Sequence, residues 1–226
     1  MIEVEVLDDP DAAGRRTAEL VASMVEEAVT ANERFALAIS GGEGPSSMFR
    51  ALAGLGLPWS RIDTWQVDER VADAGDDARN RTRQSRDLPS DAVRGIRWMP
   101  VESEDLDAAA DRYATGLPER FDVVHLGLGA DGHTASLVPD DPVLDVADRD
   151  VALTAPYQGH RRMTLTYRGL ARADRALWLV TGEDKREAVE RLLAGDGSIP
   201  AGRVTIPEQR LVADRAAAPR SEGDAG

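Results

Sequence analysis

The sequence has no cysteine, a single lysine and few aromatic residues, and each shortage removes a class of answers. Without cysteine there can be no disulfide, no thiolate nucleophile and no thiolate metal ligand, and the chain suits a reducing compartment. Aromatics make up only 4% of the residues, so the core has to rest on Ala, Val and Leu. No apolar run is long enough to span a bilayer. The start, Met1-Ile2-Glu3-Val4-Glu5-Val6, lacks the basic residues and apolar stretch of a signal peptide, and a cytoplasmic location is expected. Positive charge is also scarce: 27 Lys and Arg against 41 Asp and Glu give a formal net charge of −14. Phosphate backbones need a basic face, so neither nucleic acid nor an anionic membrane is an expected partner. A small anion stays compatible, provided a few cations are gathered around it. The one lysine, Lys185, marks either a place that needs an ammonium or the remainder of a drift toward arginine.

At 226 residues the chain can bury a proper core. Strand and helix patterns alternate along it. The expected fold class is α/β: a doubly wound, mostly parallel sheet with helices on both faces, Rossmann-like, in a single domain over residues 1–215. Strands are predicted at Glu3–Leu7, Phe35–Ser40, Asp63–Val67, Gly95–Val101, Asp122–Leu128, Ala176–Thr181 and Gln209–Ala213. Val151–Ala155 and Arg162–Tyr167 read as extended and adjacent. A helix is predicted from Ala12 to Asn32, where Leu20, Val21, Met24, Val25, Ala28 and Val29 recur at helical spacing. Others are predicted from Pro45 to Leu52, Glu104 to Leu117 and Asp184 to Ala194. The stretch after Val67 reads as a polar segment. The tail, residues 216–226, is small, polar and unpatterned, and disorder is expected there.

In open parallel sheets ligands bind beyond the carboxyl ends of the strands, and four polar clusters fall in that position. Ser40-Gly41-Gly42 lies between a strand and a helix, where free N–H groups attract anions; an ordinary turn is the competing reading. Asp68-Glu69-Arg70 offers a guanidinium that can grip a phosphate or carboxylate with two hydrogen bonds, or is a solvated loop. Gly127-Leu128-Gly129-Ala130-Asp131-Gly132-His133-Thr134-Ala135-Ser136 carries an acid and a histidine two residues apart. An imidazole ordinarily titrates near pH 6.5, about right for a general base at neutral pH. Of the three histidines, His125 lies within a strand and reads as structural, and His160 sits in a polar loop, so His133 holds the catalyst's position. A Ser136–His133–Asp131 triad is conceivable, although no nucleophile elbow exists, and no second histidine stands at metal-ligand spacing. The last cluster is Arg161-Arg162, together with Lys185 after Gly182-Glu183-Asp184.

These stretches resemble the signatures of the 6-phosphogluconolactonase family, over nearly the whole chain up to the tail. The family is related to glucosamine-6-phosphate isomerases. The carriers are Ser40-Gly41-Gly42, Asp68-Glu69-Arg70, the Asp131-Gly132-His133-Thr134-Ala135-Ser136 stretch, Arg162-Met163-Thr164-Leu165-Thr166 and Gly182-Glu183-Asp184-Lys185. The resemblance implies hydrolysis of 6-phosphogluconolactone to 6-phosphogluconate in the pentose phosphate pathway, with no metal and no cofactor. It implies His133 as the general base, supported by Asp131. Ser40, Gly41, Gly42, Asp68, Arg70, Asn80, Arg162 and Lys185 are implied on the substrate side. The partner is then a small phosphorylated sugar lactone, and the protein a monomer or small homo-oligomer. Where the family usually has Ser or Thr and then Thr-Pro, this chain has Glu43-Gly44-Pro45, which places a carboxylate beside the anion cradle. Tyr157 falls near a position commonly held by lysine, and Arg79 replaces the serine before Asn80. Arg79 or Arg161 is a possible source of the missing charge. Glu43 keeps open a non-catalytic sugar-phosphate-binding protein on the same scaffold. A glucosamine-6-phosphate deaminase is the remaining alternative, disfavoured because Thr134-Ala135-Ser136-Leu137 supplies no further carboxylate after His133.

Overall fold

The structure is a computed structural model in which residues 1–42 and 44–220 are described. Its first half runs β1 (Glu3–Leu7), α1 (Pro10–Thr30), β2 (Phe35–Ile39), α2 (Ser46–Gly54), β3 (Ile62–Gln66), β4 (Asp68–Arg70), α3 (Asn80–Asp87), α4 (Ser90–Gly95) and β5 (Ile96–Arg97). The second half runs α5 (Leu106–Thr115), β6 (Phe121–Leu126), β7 (Val151–Leu153), β8 (Arg162–Leu165), α6 (Tyr167–Leu170), β9 (Ala173–Val180), α7 (Arg186–Leu193) and β10 (Glu208–Asp214). Seven strands form one sheet in the order β1-β10-β9-β6-β2-β3-β5, and every neighbouring pair is parallel. This is the doubly wound α/β arrangement that the alternation predicts.

Each face of the sheet buries its own core. Leu37, Ile39, Val123, Leu177, Leu179 and Val212 turn toward α1 and α2, while Ala38, Val124, Leu126, Trp178, Val180 and Leu211 turn the other way toward α5 and α7. The alternation along β2, β6 and β9 is the period of two that sends successive side chains to opposite faces. Both faces being covered explains why these strands read as nearly continuous apolar runs. With aromatics scarce, Trp178 is the largest of the fully buried side chains.

The chain leaves β2 for β3 and β5 on one side, then returns to β6 beside β2 and builds outward on the other. The loops after β2 and β6 therefore part from each other, and a crevice opens between them. Ser40-Gly41-Gly42 and Gly127-Leu128-Gly129 are those two loops.

Four expectations need correction. The predicted strand Asp63–Val67 ends at Gln66; after Val67 the chain crosses into a second, antiparallel sheet ordered β4-β8-β7. Val67 is the crossing point, its N–H bonded to Ile39 of the large sheet (3.0 Å) and its carbonyl accepting from Leu165 of the small one (2.8 Å). The predicted strand Gly95–Val101 shrinks to Ile96–Arg97, because the Gln66 side chain takes the Met99 N–H (2.9 Å) and Pro100 follows. The polar segment after Val67 holds two helices, α3 and α4. The tail from Ala216 does not start as expected: Ala217 is buried, its N–H donates to Asp214 Oδ1 (2.8 Å), and Arg186 binds the Ala216 carbonyl (2.8 Å). Residues 221–226 and Glu43 lie outside the described residues.

His125, read as structural, is buried in β6 against Phe49, with neither ring nitrogen hydrogen-bonded to any described residue. Burial lowers its pKa to about 3. The unfolded chain then binds a proton that the folded one refuses, from pH about 6.5 down to about 3, so stability falls as pH falls through that window. Between pH 6.5 and 5 this amounts to about 2 kcal/mol. We expect a His125→Phe variant, followed by urea unfolding at both pH values, to lose about that much less than the wild type.

Candidate active site

Strand alternation builds the first wall. Along β4, Asp68 and Arg70 share one side and line the crevice, while Glu69 points the opposite way and is fully buried. There Glu69 acts as a knot. Its Oε1 accepts the N–H groups of Arg70 (2.8 Å) and Asn80 (2.7 Å), and its Oε2 accepts Arg81 N–H (2.8 Å) and Gln66 Nε2 (3.0 Å). The carboxylate thus engages two free N–H groups at the start of α3 and faces the favourable end of that helix's dipole. Arg79, lodged behind it with 1% exposure, pairs with Glu69 (Nε–Oε2 3.7 Å) and with Glu102. It therefore does not bring positive charge to the crevice.

Asn80 carries this order forward. Its side-chain amide donates to the Asp68 carbonyl (2.8 Å) and Oδ1 (3.1 Å), and its own oxygen accepts from the Arg70 guanidinium. A Cβ on Gly41 would collide with the Asn80 side chain, so glycine there is a matter of space. Ser136 Oγ donates to the other oxygen of Asp68 (2.6 Å). That bond uses the Ser136 hydroxyl away from His133, and the Ser136–His133–Asp131 triad is not formed.

The opposite wall is the loop after β6. Gly132 adopts φ +82, a left-handed conformation natural to glycine, and packs on Ile199. Its reversal brings the His133 ring back over Gly129, where any side chain would strike the imidazole. Asp131 Oδ1 meets His133 Nδ1 at 2.5 Å and also accepts the His133 N–H (3.2 Å), while Oδ2 accepts the Tyr157 hydroxyl (3.0 Å). Partial burial pushes the Asp131 carboxyl up, but the hydrogen bonds from His133 and Tyr157 outweigh it and hold the group well below the usual carboxylate range. With Nδ1 engaged, Nε2 is the ring nitrogen without a partner among the described residues.

His133 and Arg70 line one cavity of about 620 Å³, together with Ser40, Gly41, Gly42, Asp68 and Lys185. The N–H groups of Gly41 and Gly42 are engaged by no other described residue, and the buried Ser40 hydroxyl has no partner among them. Asn80, Arg162 and Asp131 stand behind this lining as supports. Arg162 faces Arg70 across the β4–β8 pair and stacks on Tyr157, its guanidinium carbon 4.9 Å from the ring centre. Burial, then the charge of Arg70, lowers the pKa of Arg162. Lys185 is paired with Asp184 (2.8 Å), which answers part of its charge before any ligand arrives. Arg161 reaches back to the Thr154 carbonyl (3.4 Å) rather than into the cavity.

Two residues of this surroundings were not singled out by sequence reasoning for the roles their positions suggest. Arg50 lines the cavity from α2, one helical turn beyond Ser46, a spacing that could have flagged it. Tyr157 gave no local signal of its bond to Asp131, 26 residues away. No group of three or more His, Asp or Glu side chains placed to hold a metal occurs among the described residues, and none of their helices is long and apolar enough to cross a membrane.

The sequence model describing glucosamine-6-phosphate isomerases and 6-phosphogluconolactonases matches residues 8–213. The chain belongs to this family. A 6-phosphogluconolactonase of a Nostoc species is 31% identical over 204 residues, spanning 84% of this chain and 85% of that protein. A 6-phosphogluconolactonase of Mesorhizobium japonicum is 33% identical over 211 residues, spanning 88% and 84%. Among solved structures, a 6-phosphogluconolactonase from Thermotoga maritima superposes with a TM-score of 0.85 over 95% of this chain and 100% of that one. At 23% identity that likeness speaks for the family's fold.

The knot at Glu69 can be tested directly. Glu69→Gln keeps the size but turns one acceptor into a donor facing backbone N–H groups. We expect it to destabilise the protein by about 3 kcal/mol in urea unfolding.

Proposed function

We propose that the chain is a 6-phosphogluconolactonase, hydrolysing 6-phosphogluconolactone to 6-phosphogluconate in the pentose phosphate pathway without a metal or cofactor. One observation carries the reading: His133, tethered through Nδ1 to an ionised Asp131, lines the same cavity as Arg70. His133 Nε2 takes a proton from water as its oxygen attacks the lactone carbonyl carbon. The tetrahedral adduct then expels the ring oxygen, which receives that proton from the imidazolium. The ring C–O bond breaks, and the new carboxyl group ionises. Asp131 holds the imidazole in the tautomer that frees Nε2 and stabilises its charged form.

Arg70, backed by Arg162, and the N–H groups of Gly41 and Gly42 hold the phosphate, with Ser40 and Lys185 beside them. Asn80 fixes the guanidinium of Arg70, and Asp68, bonded to Asn80 and Ser136, fixes the adjoining wall. In the same reading residues 1–215 act as one domain in the cytoplasm, as a monomer or small homo-oligomer. A net charge of −14 disfavours nucleic acid, whose phosphates need a basic face. The sequence relatives favour the lactonase over the family's deamination chemistry, as does the lack of a carboxylate in Thr134-Ala135-Ser136-Leu137.

Lactone hydrolysis by purified protein, with a chelator present and a blank without enzyme, tests the reading. We expect His133→Ala to lose at least about 100-fold in kcat with an unchanged far-UV spectrum. Full activity in that variant removes His133 from the mechanism. Arg70→Ala should instead raise KM about 10-fold or more, since it removes a charge-assisted contact to phosphate. Specific binding of 6-phosphogluconate without any hydrolysis would favour a sugar-phosphate-binding protein.

A further inference from the structure

Tyr157 begins a tight two-residue turn. Gln158 and Gly159 both have positive φ (50 and 85), and Tyr157 and His160 exchange backbone hydrogen bonds of 2.9 and 3.3 Å across it. That geometry is the I′ type that joins twisted strands, and it tolerates glutamine in the left-handed region only because the pairing around it holds. The turn presents Tyr157 to three groups of the site at once. Its hydroxyl donates to Asp131 Oδ2 at 3.0 Å, its ring meets the His133 ring edge-on at 5.8 Å, and its face carries the Arg162 guanidinium at 4.9 Å. Gln158, strained at the turn, accepts from Arg162 Nη2 (3.3 Å) and donates to the Tyr157 hydroxyl (3.4 Å).

The two oxygens of Asp131 are thereby divided. Both bonds from His133, ring and backbone, fall on Oδ1, and Tyr157 is the partner of Oδ2 among the described residues. A carboxylate torsion is broad and two-fold, so one occupied oxygen does not fix its plane; a second donor does. The phenol is suited to donate. Burial, and then the bond to Asp131, raises its pKa, which keeps the proton on the hydroxyl.

We infer that Tyr157 is a positioning residue for the reaction: its hydroxyl locks the Asp131 carboxylate so that His133 stays protonated on Nδ1 with Nε2 bare, and its ring seats Arg162 behind the same cavity. This rests on the lactonase reading. One aromatic side chain then couples the base to the cation that backs the phosphate grip.

The test uses Tyr157→Phe, which keeps the ring and its contacts and removes only the hydroxyl. Nitrogen-15 spectra of the resting protein at pH 8 report which nitrogen of His133 carries the proton, with no dependence on substrate. In Tyr157→Phe a measurable share of His133 moves to the Nε2–H tautomer, and kcat for the lactone falls about 5- to 10-fold, with KM within about 2-fold. Tyr157→Leu, which also removes the seat of Arg162, raises KM in addition. Ring signals identical to wild type in Tyr157→Phe overturn the inference whatever the rate, and so does a Tyr157→Phe enzyme of full kcat. Should wild-type protein not hydrolyse the lactone, the proposed activity fails, and the tautomer spectra alone decide whether Tyr157 orients the dyad.

Discussion

A carboxylate with no exposure to water holds the site together. Glu69 has no contact with the cavity, yet its four hydrogen bonds tie the turn of β4, the start of α3 and the end of β3 to a single point. Burying a charge this deeply is unfavourable unless each lone pair is answered, and here the answering groups are mostly backbone N–H donors that need partners anyway. Once Glu69 is fixed, Asn80 has one place to stand, Asn80 orients Asp68 and Arg70, and Asp68 claims Ser136 from the opposite loop. The guanidinium that faces the cavity is thus set by a chain of contacts that starts outside it.

The same economy explains how an acidic molecule can offer an anion a welcome. Net charge acts over the whole surface, whereas a pocket responds to the few groups within reach. Arg70, the N–H groups of Gly41 and Gly42, and Lys185 converge where the two central loops of the sheet diverge. Asp68 lies among them, but its oxygens are taken by Ser136 and Asn80, which leaves less of its charge facing the cavity. Asp131 is likewise turned to His133 and Tyr157.

The sheet was readable because both of its faces are buried and its strands announce themselves as apolar runs. The crevice was readable because glycines punctuate the strand ends beside it. Ser40, Gly41, Gly42, Asp68, Arg70, His133 and Lys185 do line one cavity. What escaped depends on contacts distant in sequence. Nothing near Asp63–Val67 signals that the strand changes sheets at Val67, since that follows from bonds to Ile39 and Leu165. Helix α3, Asn-Arg-Thr-Arg-Gln-Ser-Arg-Asp in sequence, has almost no apolar face to betray it and is anchored through Glu69. Tyr157 looked like a gap in a basic pattern, and its partner became visible only with the fold.

Lys185 gains a further meaning from its solitude. A chain whose other basic side chains are guanidinium or imidazole offers an amine-selective reagent one side chain to find, and that one sits on the cavity wall, 27% exposed and leaning on Asp184. Apart from the α-amino group of Met1, acylation would place its one tag at the mouth of the site without any engineered handle. An anion filling the cavity would shield that amine, so occupancy could be read from the mass of the peptide that carries Lys185, as the fraction left unmodified.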